Sequence, residues 1–252
     1  MEITILGCAS SHGCPMIACN CKICKSDLNY NKRKRSAILI KKNNKRILVD
    51  FGPDIRNQLL ENNIENLDAV ICTHAHYDHI AGIDDLKVFS YKNKSPLTIY
   101  TDYITKGIID TSYRHLIKSN GDRMPVIETK SIDLGQNTNI CGIDITFFEQ
   151  IHGKISSIGI KLGNFVYSND VSDFPHHSLN YLKKIKYWVL DCIDYKRSTA
   201  HAGLEEVLYW REKFKPERIF LTNLSHNIDY YEIMKYLPKD TKPSYDGMKI
   251  YI

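Results

Sequence analysis

The segment Thr73-His74-Ala75-His76-Tyr77-Asp78-His79 restricts this chain more than any other stretch. Within six residues it offers four metal-binding side chains, directly after the apolar run Leu67-Asp68-Ala69-Val70-Ile71-Cys72. Such a run reads as a buried strand that delivers the cluster to a sheet edge. In an extended backbone His74 and His76 project to one side, while Asp78 and His79 turn over into the element that follows. Two imidazoles and an adjacent carboxylate-imidazole pair suit two neighbouring Zn²⁺-like ions better than one. The plainer reading is a polar loop with chance histidines, and ligand density at a strand end argues against it.

The 252 residues, 43% of them hydrophobic, suffice for one large α/β domain spanning 1–252, and no Pro/Gly/Ser-rich linker marks a boundary. The net charge of +5 is spread through loops such as Lys41-Lys42-Asn43-Asn44-Lys45-Arg46, which permits an anionic substrate without selecting one. Met1-Glu2 lead straight into Ile3-Thr4-Ile5-Leu6, with no basic leader and no apolar run of membrane-spanning length. These features predict a cytoplasmic protein with no membrane partner. Its eight cysteines are then expected as thiols or metal ligands rather than disulfides.

Cys19-Asn20-Cys21-Lys22-Ile23-Cys24 places three thiols where one tetrahedral Zn²⁺ could be wrapped from a tight loop, with a fourth corner left for a distant ligand. Three unliganded thiols are the alternative. Cys8, Cys14, Cys72, Cys141 and Cys192 are scattered and read as small buried hydrophobes. A hairpin of Ser36–Ile40 and Arg46–Asp50 brings out Asp50, either to orient a metal-bound histidine or as an ordinary turn or capping residue. Helix is expected to begin at Ile80 and run through Leu86, with Asp84 and Asp85 as first-turn charges, and again from Asp102 to about Leu116. Two later strands, Gly142–Phe148 and Asn164–Ser168, lead to His152 and Asp170, so His152 becomes a third nitrogen for one ion and Asp170 a carboxylate placed to bridge two. His201 precedes the amphipathic segment Leu204–Trp210 and could bind substrate or donate a proton, or merely neighbour a helix cap. His12 in the early small-residue loop is equally open, whereas His115, His176 and His177 read as surface. The strand Arg218–Leu221 ends in Thr222-Asn223-Leu224-Ser225-His226, and Tyr245-Asp246-Gly247-Met248-Lys249-Ile250 closes the chain with a turn and short strand.

The HxHxDH motif of His74–His79, read with His152 and Asp170, resembles that of the metallo-β-lactamase superfamily. The CxCxxC loop, His201 and the terminal YDGMKI resemble more narrowly the PhnP-type phosphodiesterases, which act on cyclic phosphate diesters. The resemblance implies a four-layer αββα sandwich with a dinuclear site on its edge. It implies one ion on His74, His76 and His152, a second on Asp78 and His79, and Asp170 between them. It further implies a structural zinc on Cys19, Cys21, Cys24 and a histidine near the C-terminus. The family segment reads THxxH, its first histidine completing the second ion's shell and its second completing the structural zinc. Here Asn223 stands where the first belongs and His226 where the second does. An amide oxygen is the weaker ligand, so the second ion would be looser, or a harder ion such as Mn²⁺. Alternatively His226 serves the active site. Placing it on the structural zinc is favoured, because both sites then keep a ligand set.

The expected function is hydrolysis of a small or cyclic phosphate diester by a metal-bridging hydroxide, with Asp78 and His201 as catalytic residues and two active-site Zn or Mn ions beside the structural Zn. A tRNA 3′-processing nuclease is the first alternative, disfavoured by diffuse charge and the lack of a long basic arm. A thioesterase or lactonase of the superfamily, and a degenerate metal-binding scaffold, are the others. The expected partner is a small phosphorylated substrate, nucleic acid is less favoured, and a homodimer is allowed.

Overall fold

Unbroken apolar runs in the early strands, Ala37–Ile40 and Ile47–Val49, dictate a layered structure, because each strand has two apolar faces to bury. The computed structural model describes residues 1–118 and 124–252. Its strands are β1 (Glu2–Gly7), β2 (Ala37–Lys42), β3 (Lys45–Val49), β4 (Ala69–Ile71), β5 (Leu97–Thr101), β6 (Ile127–Ser131) and β7 (Asn137–Ile140). They continue with β8 (Ile143–His152), β9 (Ile155–Leu162), β10 (Phe165–Ser168), β11 (Tyr187–Asp191), β12 (Arg218–Thr222), β13 (Thr241–Pro243) and β14 (Lys249–Tyr251). Two seven-stranded mixed sheets result, ordered β14-β1-β2-β3-β4-β5-β6 and β13-β12-β11-β10-β9-β8-β7. The helices are α1 (Ile55–Glu61), α2 (Tyr77–Ile80), α3 (Ile83–Asn93), α4 (Tyr103–Ser112), α5 (Arg114–Ile117), α6 (Leu204–Phe214) and α7 (Tyr230–Met234).

Ile38 and Ile40 of β2, Ile47 and Val49 of β3, and Ala69 and Ile71 of β4 join the core shared with the second sheet. Their alternates Leu39, Leu48 and Val70 face a second core with Ile55 and Leu59 of α1, Leu86 and Phe89 of α3 and Ile109 of α4. On the far side, Trp188 of β11 packs against Trp210 and Phe214 of α6 at ring separations of 6.4 and 5.9 Å. The order helix, sheet, sheet, helix is the expected αββα sandwich.

Strands β3 to β6 are mutually parallel, as are β10 to β13. β8 runs antiparallel to β9, and β9 antiparallel to β10, so β8 points the same way as β10. Carboxyl ends of β3 and β4 therefore emerge at one edge of the first sheet, and those of β8, β10, β11 and β12 at one edge of the second. In α/β folds, ligands collect at such edges.

Two helices differ from the sequence reading. The helix expected from Ile80 to Leu86 is broken, because α2 ends at Ile80 and α3 begins at Ile83. The cause is a close approach: Gly82 N donates to Phe51 O at 2.8 Å, and a Cβ on Gly82 would lie 2.3 Å from Gly52 O. A Cβ on Gly52 would in turn meet Asp78 O at 1.9 Å. The backbone carrying Asp78 and His79 is thus seated directly on the end of β3. The single helix expected from Asp102 to Leu116 is interrupted at Tyr113, whose φ of −118° leaves the helical region and separates α4 from α5. Asp102 caps α4 by accepting from Ile104 N and Thr105 N at 2.8 and 3.0 Å.

Candidate metal centre

His74 and His76 follow β4 in extended backbone, Asp78 and His79 sit on α2, His152 ends β8 and Asp170 lies two residues beyond β10. Ligand atoms of His74, His76, His152 and Asp170 lie within 4.8 Å of one another, and so do those of Asp78, His79 and Asp170. His76 Nδ1 stands 3.0 Å from His74 Nε2 and 3.2 Å from His152 Nε2. Asp170 Oδ2 lies 3.4 Å from Nε2 of His74, 3.4 Å from that of His152 and 3.3 Å from that of His79. One oxygen thus faces both groups, which is where a bridging carboxylate would stand. Asp78 Oδ2 is 3.4 Å from His79 Nε2.

The outer ring nitrogens decide what the inner ones can do. His152 Nδ1 donates to Ala200 O at 2.8 Å, and His79 Nδ1 donates to Asp50 Oδ2 at 2.8 Å. His74 Nδ1 lies 3.1 Å from Thr73 Oγ1, which itself donates to Asp50 Oδ2 at 2.9 Å. With the proton held on each outer nitrogen, Nε2 of all three rings presents a lone pair inward. Converging lone pairs and carboxylate oxygens repel one another unless a cation neutralises them, so this donor set fits divalent metal ions. Asp50 orients His79 directly and His74 through Thr73, and is fully buried.

The electrostatics have the same origin. Burial depresses His74 to about 4, with His79 adding to the effect. Burial opposes charge on His79 too, but Asp50, Asp170 and Asp78 outweigh it and raise its pKa well above the imidazole range. Burial would raise Asp170, yet His79 and His74 overcome it and hold the carboxyl well below its usual range.

A third group adjoins these: Asp170, Asp191 and His201 also have ligand atoms within 4.8 Å of one another. His201 Nδ1 donates to Asp191 Oδ2 at 2.9 Å, leaving its Nε2 uncommitted, and its ring centroid is 4.7 Å from that of His152. Burial lowers His201, but Asp191 dominates and lifts it to about 9. Asn223 places Nδ2 3.1 Å from both Asp170 Oδ1 and Asp191 Oδ1. Only the amide nitrogen can face two carboxylates, so the oxygen expected as a weak ligand is turned away from them. The 2.9 Å approach of Asn223 Nδ2 to His201 Nδ1 is no hydrogen bond while that nitrogen donates to Asp191.

The thiol loop finds its distant fourth corner. Cys19, Cys21 and Cys24 gather with His226 within 4.8 Å, with His226 Nδ1 3.6 Å from Cys19 Sγ and 3.5 Å from Cys21 Sγ. His226 chiefly, with the Cys24 N–H, draws Cys21 down to about 6, whereas burial pushes Cys24 up to about 12. Thiols this close share little negative charge among themselves, and a cation relieves the conflict. Buried Arg33 secures the segment, donating from Nη2 to Ser225 O and Ile228 O at 3.0 and 2.9 Å. The residues following β12 therefore deliver Asn223 to one cluster and His226 to the other.

Asp191 and Thr73 went unmarked in the sequence. The signal for Asp191 was present, since β11 ends in a carboxylate as the β3 run does at Asp50. His12 is exposed beside Ser11, its Nδ1 3.5 Å from Ser11 Oγ, and His115, His176 and His177 are exposed. Cys8, Cys14, Cys72 and Cys192 are buried as expected, whereas Cys141 is half-buried because it sits in the β7–β8 turn.

Comparison with known proteins agrees with this architecture. Residues 45–222 match the family described as "Beta-lactamase superfamily domain". The solved structure of a diphosphatase from the PhnP family superimposes with a TM-score of 0.92 at 26% identity, covering 100% of this chain and 97% of that one. An octanoyltransferase of Porphyromonas gingivalis is 26% identical across 100% of this chain and 52% of its own length. A ribonuclease Z of Bradyrhizobium diazoefficiens is 31% identical across 51% of this chain and 44% of its own. The chain thus spans about half the length of these two relatives. Among the described residues, no helix is long and apolar enough to cross a membrane. With more than half of its length matched, the chain belongs to the metallo-β-lactamase superfamily, as a PhnP-like member.

Proposed function

We propose that residues 1–252 act as one metal-dependent phosphodiesterase unit that hydrolyses a small or cyclic phosphate diester. The observation that carries this reading is the orientation of His74, His79 and His152, each with its outer nitrogen committed as a donor and its inner nitrogen aimed at Asp170. His74, His76, His152 and Asp170 would hold one divalent ion, and Asp78, His79 and Asp170 a second. Cys19, Cys21, Cys24 and His226 would hold a structural zinc. When bound, the two active-site ions, Zn or Mn, would polarise the phosphoryl oxygens and make water nucleophilic near neutral pH. Asp50 and Thr73 keep the imidazoles in the correct tautomer. Asp191 fixes the His201 ring, so that Nε2 can contact a phosphoryl oxygen or pass a proton to the leaving alkoxide. Asp78, grouped with His79 and Asp170, would serve as a ligand and shape the reacting centre.

The test is hydrolysis of bis(p-nitrophenyl) phosphate by protein reconstituted with Zn²⁺ or Mn²⁺, alongside a metal count. An active dinuclear enzyme with its clip should hold about three ions per chain. Failure to cleave the diester, with clear turnover of thioesters or lactones, refutes the reading. Retention of little beyond the clip ion favours a scaffold. The ribonuclease Z similarity supports a second reading, cleavage of a tRNA 3′ end. A tight, salt-sensitive tRNA complex in a filter-binding assay would favour it.

A further inference from the structure

Beside the clustered histidines opens a cleft of about 1170 Å³, and His74 and His76 form part of its wall. Its other walls come from the start of α4, the segment between β6 and β7, and the β8–β9 hairpin. The side chains standing free there are apolar: Tyr103 is 82% exposed, Ile104 74%, Ile155 43%, Ile108 42% and Leu134 42%. Tyr103, Ile104 and Ile108 come from α4, Leu134 from the β6–β7 segment and Ile155 from β9, and among the described residues none covers the wall they form. A concave site with an apolar wall leading to a polar reacting centre is the usual form of a small-molecule pocket.

The charges narrow the occupant further. Lys154 is the only cationic side chain lining the cleft among the described residues, against Asp102, Asp133 and Glu149. Glu149 is engaged by Ser156 Oγ at 2.6 Å and His177 Nε2 at 3.1 Å, and Asp102 by the α4 cap. Apart from Lys154, the described lining therefore offers no positive charge to receive a phosphate outside the candidate metal centre. A second phosphate lying along the cleft would meet carboxylates instead of an arginine or lysine array.

We infer that the cleft receives the aromatic or branched apolar substituent of a singly charged phosphodiester, and that it selects against diphosphates and oligonucleotides. This rests on the phosphodiesterase reading of the adjacent centre and names the substrate class for it. The substituent seats on Ile104, Ile155 and Tyr103, while the phosphate reaches the ligand cluster past His76. Neither end requires a charged contact in the cleft itself.

The experiment uses the full-length, metal-reconstituted protein and four probes. Methyl p-nitrophenyl phosphate reports whether the adjacent centre hydrolyses a diester at all. Diphenyl phosphate, dimethyl phosphate and P¹,P²-diphenyl diphosphate are titrated calorimetrically. Diphenyl phosphate should bind about tenfold or more tightly than dimethyl phosphate, with the more negative heat-capacity change that apolar burial produces. The diphosphate should bind more weakly than diphenyl phosphate. Ile104→Ser and Ile155→Ser, at exposed positions where folding is little affected, should each reduce the preference for diphenyl phosphate about threefold to fivefold and leave dimethyl phosphate unchanged. Cleavage of methyl p-nitrophenyl phosphate combined with equal binding of the two monophosphates, or with tighter binding of the diphosphate, overturns the cleft assignment alone. Unaltered preference in both variants does the same. Absence of any diester hydrolysis overturns the phosphodiesterase reading and this assignment with it.

Discussion

Asp50→Asn changes one atom in the core of the candidate centre and should cost the protein an ion. Asp50 Oδ1 accepts from Thr73 N at 2.8 Å, and Oδ2 accepts from His79 Nδ1 at 2.8 Å and Thr73 Oγ1 at 2.9 Å. Asparagine has a single acceptor oxygen, and the Thr73 N–H, a backbone donor with no tautomer to change, has first claim on it. The new amide nitrogen then faces His79 Nδ1 and can be satisfied only if His79 moves its proton to Nε2. That proton occupies the lone pair aimed at Asp78 and Asp170. Removing such an orienting partner typically lowers metal affinity about 10- to 100-fold, or about 1.4–2.7 kcal/mol. The second ion should suffer most, because His79 belongs to its group, and the first less, through Thr73 and His74. Dialysis against a graded chelator followed by elemental analysis measures this ion by ion, and circular dichroism of the same samples confirms the fold. Retention of all ions at parent affinity by folded Asp50→Asn would refute the tautomer argument.

Three further outcomes follow from the geometry. Asn223→His exchanges an amide that donates to Asp170 and Asp191 for an imidazole, and should tighten the second ion about tenfold in the same chelator competition; looser binding would show that the amide's grip on the carboxylates matters more. Cys24→Ser should remove about one ion per chain and lower Tm while leaving the other ions in place, and loss of every ion together would contradict two separate sites. Asp246, half-buried against Cys8 and accepting from Lys34 N at 2.8 Å, is pushed by desolvation up to about 6. A carboxyl whose folded pKa exceeds its unfolded value of about 4 binds its proton more tightly when folded. Its stabilising contribution is therefore complete below about pH 4 and lost as pH rises through about 6, a swing of about 3 kcal/mol. Urea unfolding of parent and Asp246→Asn at pH 4.5 and 7 should show a swing in the parent that the variant lacks, and parallel pH profiles would count against it.

What could be read from the sequence was chemistry that lies within a few consecutive residues. The HxHxDH cluster, the CxCxxC loop and the apolar run Ile47-Leu48-Val49 each declare themselves locally, as does a strand that ends in a ligand at His152 or Asp170. What could not be read depends on neighbours brought together by folding. Asp191 gains its role because β11 lies between β10 and β12, placing it against His201, Asn223 and the Val171 N–H. The break between α2 and α3 follows from contact of Gly82 with the end of β3, some thirty residues earlier in the chain. The cleft walls come from α4 and the β8–β9 hairpin, neither of which carries a motif.

A common device links the legible residues to the hidden ones. Asp50, Asp170 and Asn223 each stand just beyond a strand's carboxyl end, and each adopts a left-handed backbone, with φ of 63°, 52° and 62°. For most side chains that conformation costs about 1–2 kcal/mol, and Asp and Asn tolerate it best. It turns the chain sharply out of the sheet, so that a side chain meets its partners across strands. Aspartate or asparagine at these points is therefore suited twice over, by backbone tolerance and by hydrogen-bonding chemistry. That explains how Asn can stand at position 223 without disturbing the edge. It retains the turn that carries the chain onward to His226, and it changes only what the cluster of Asp78, His79 and Asp170 is offered.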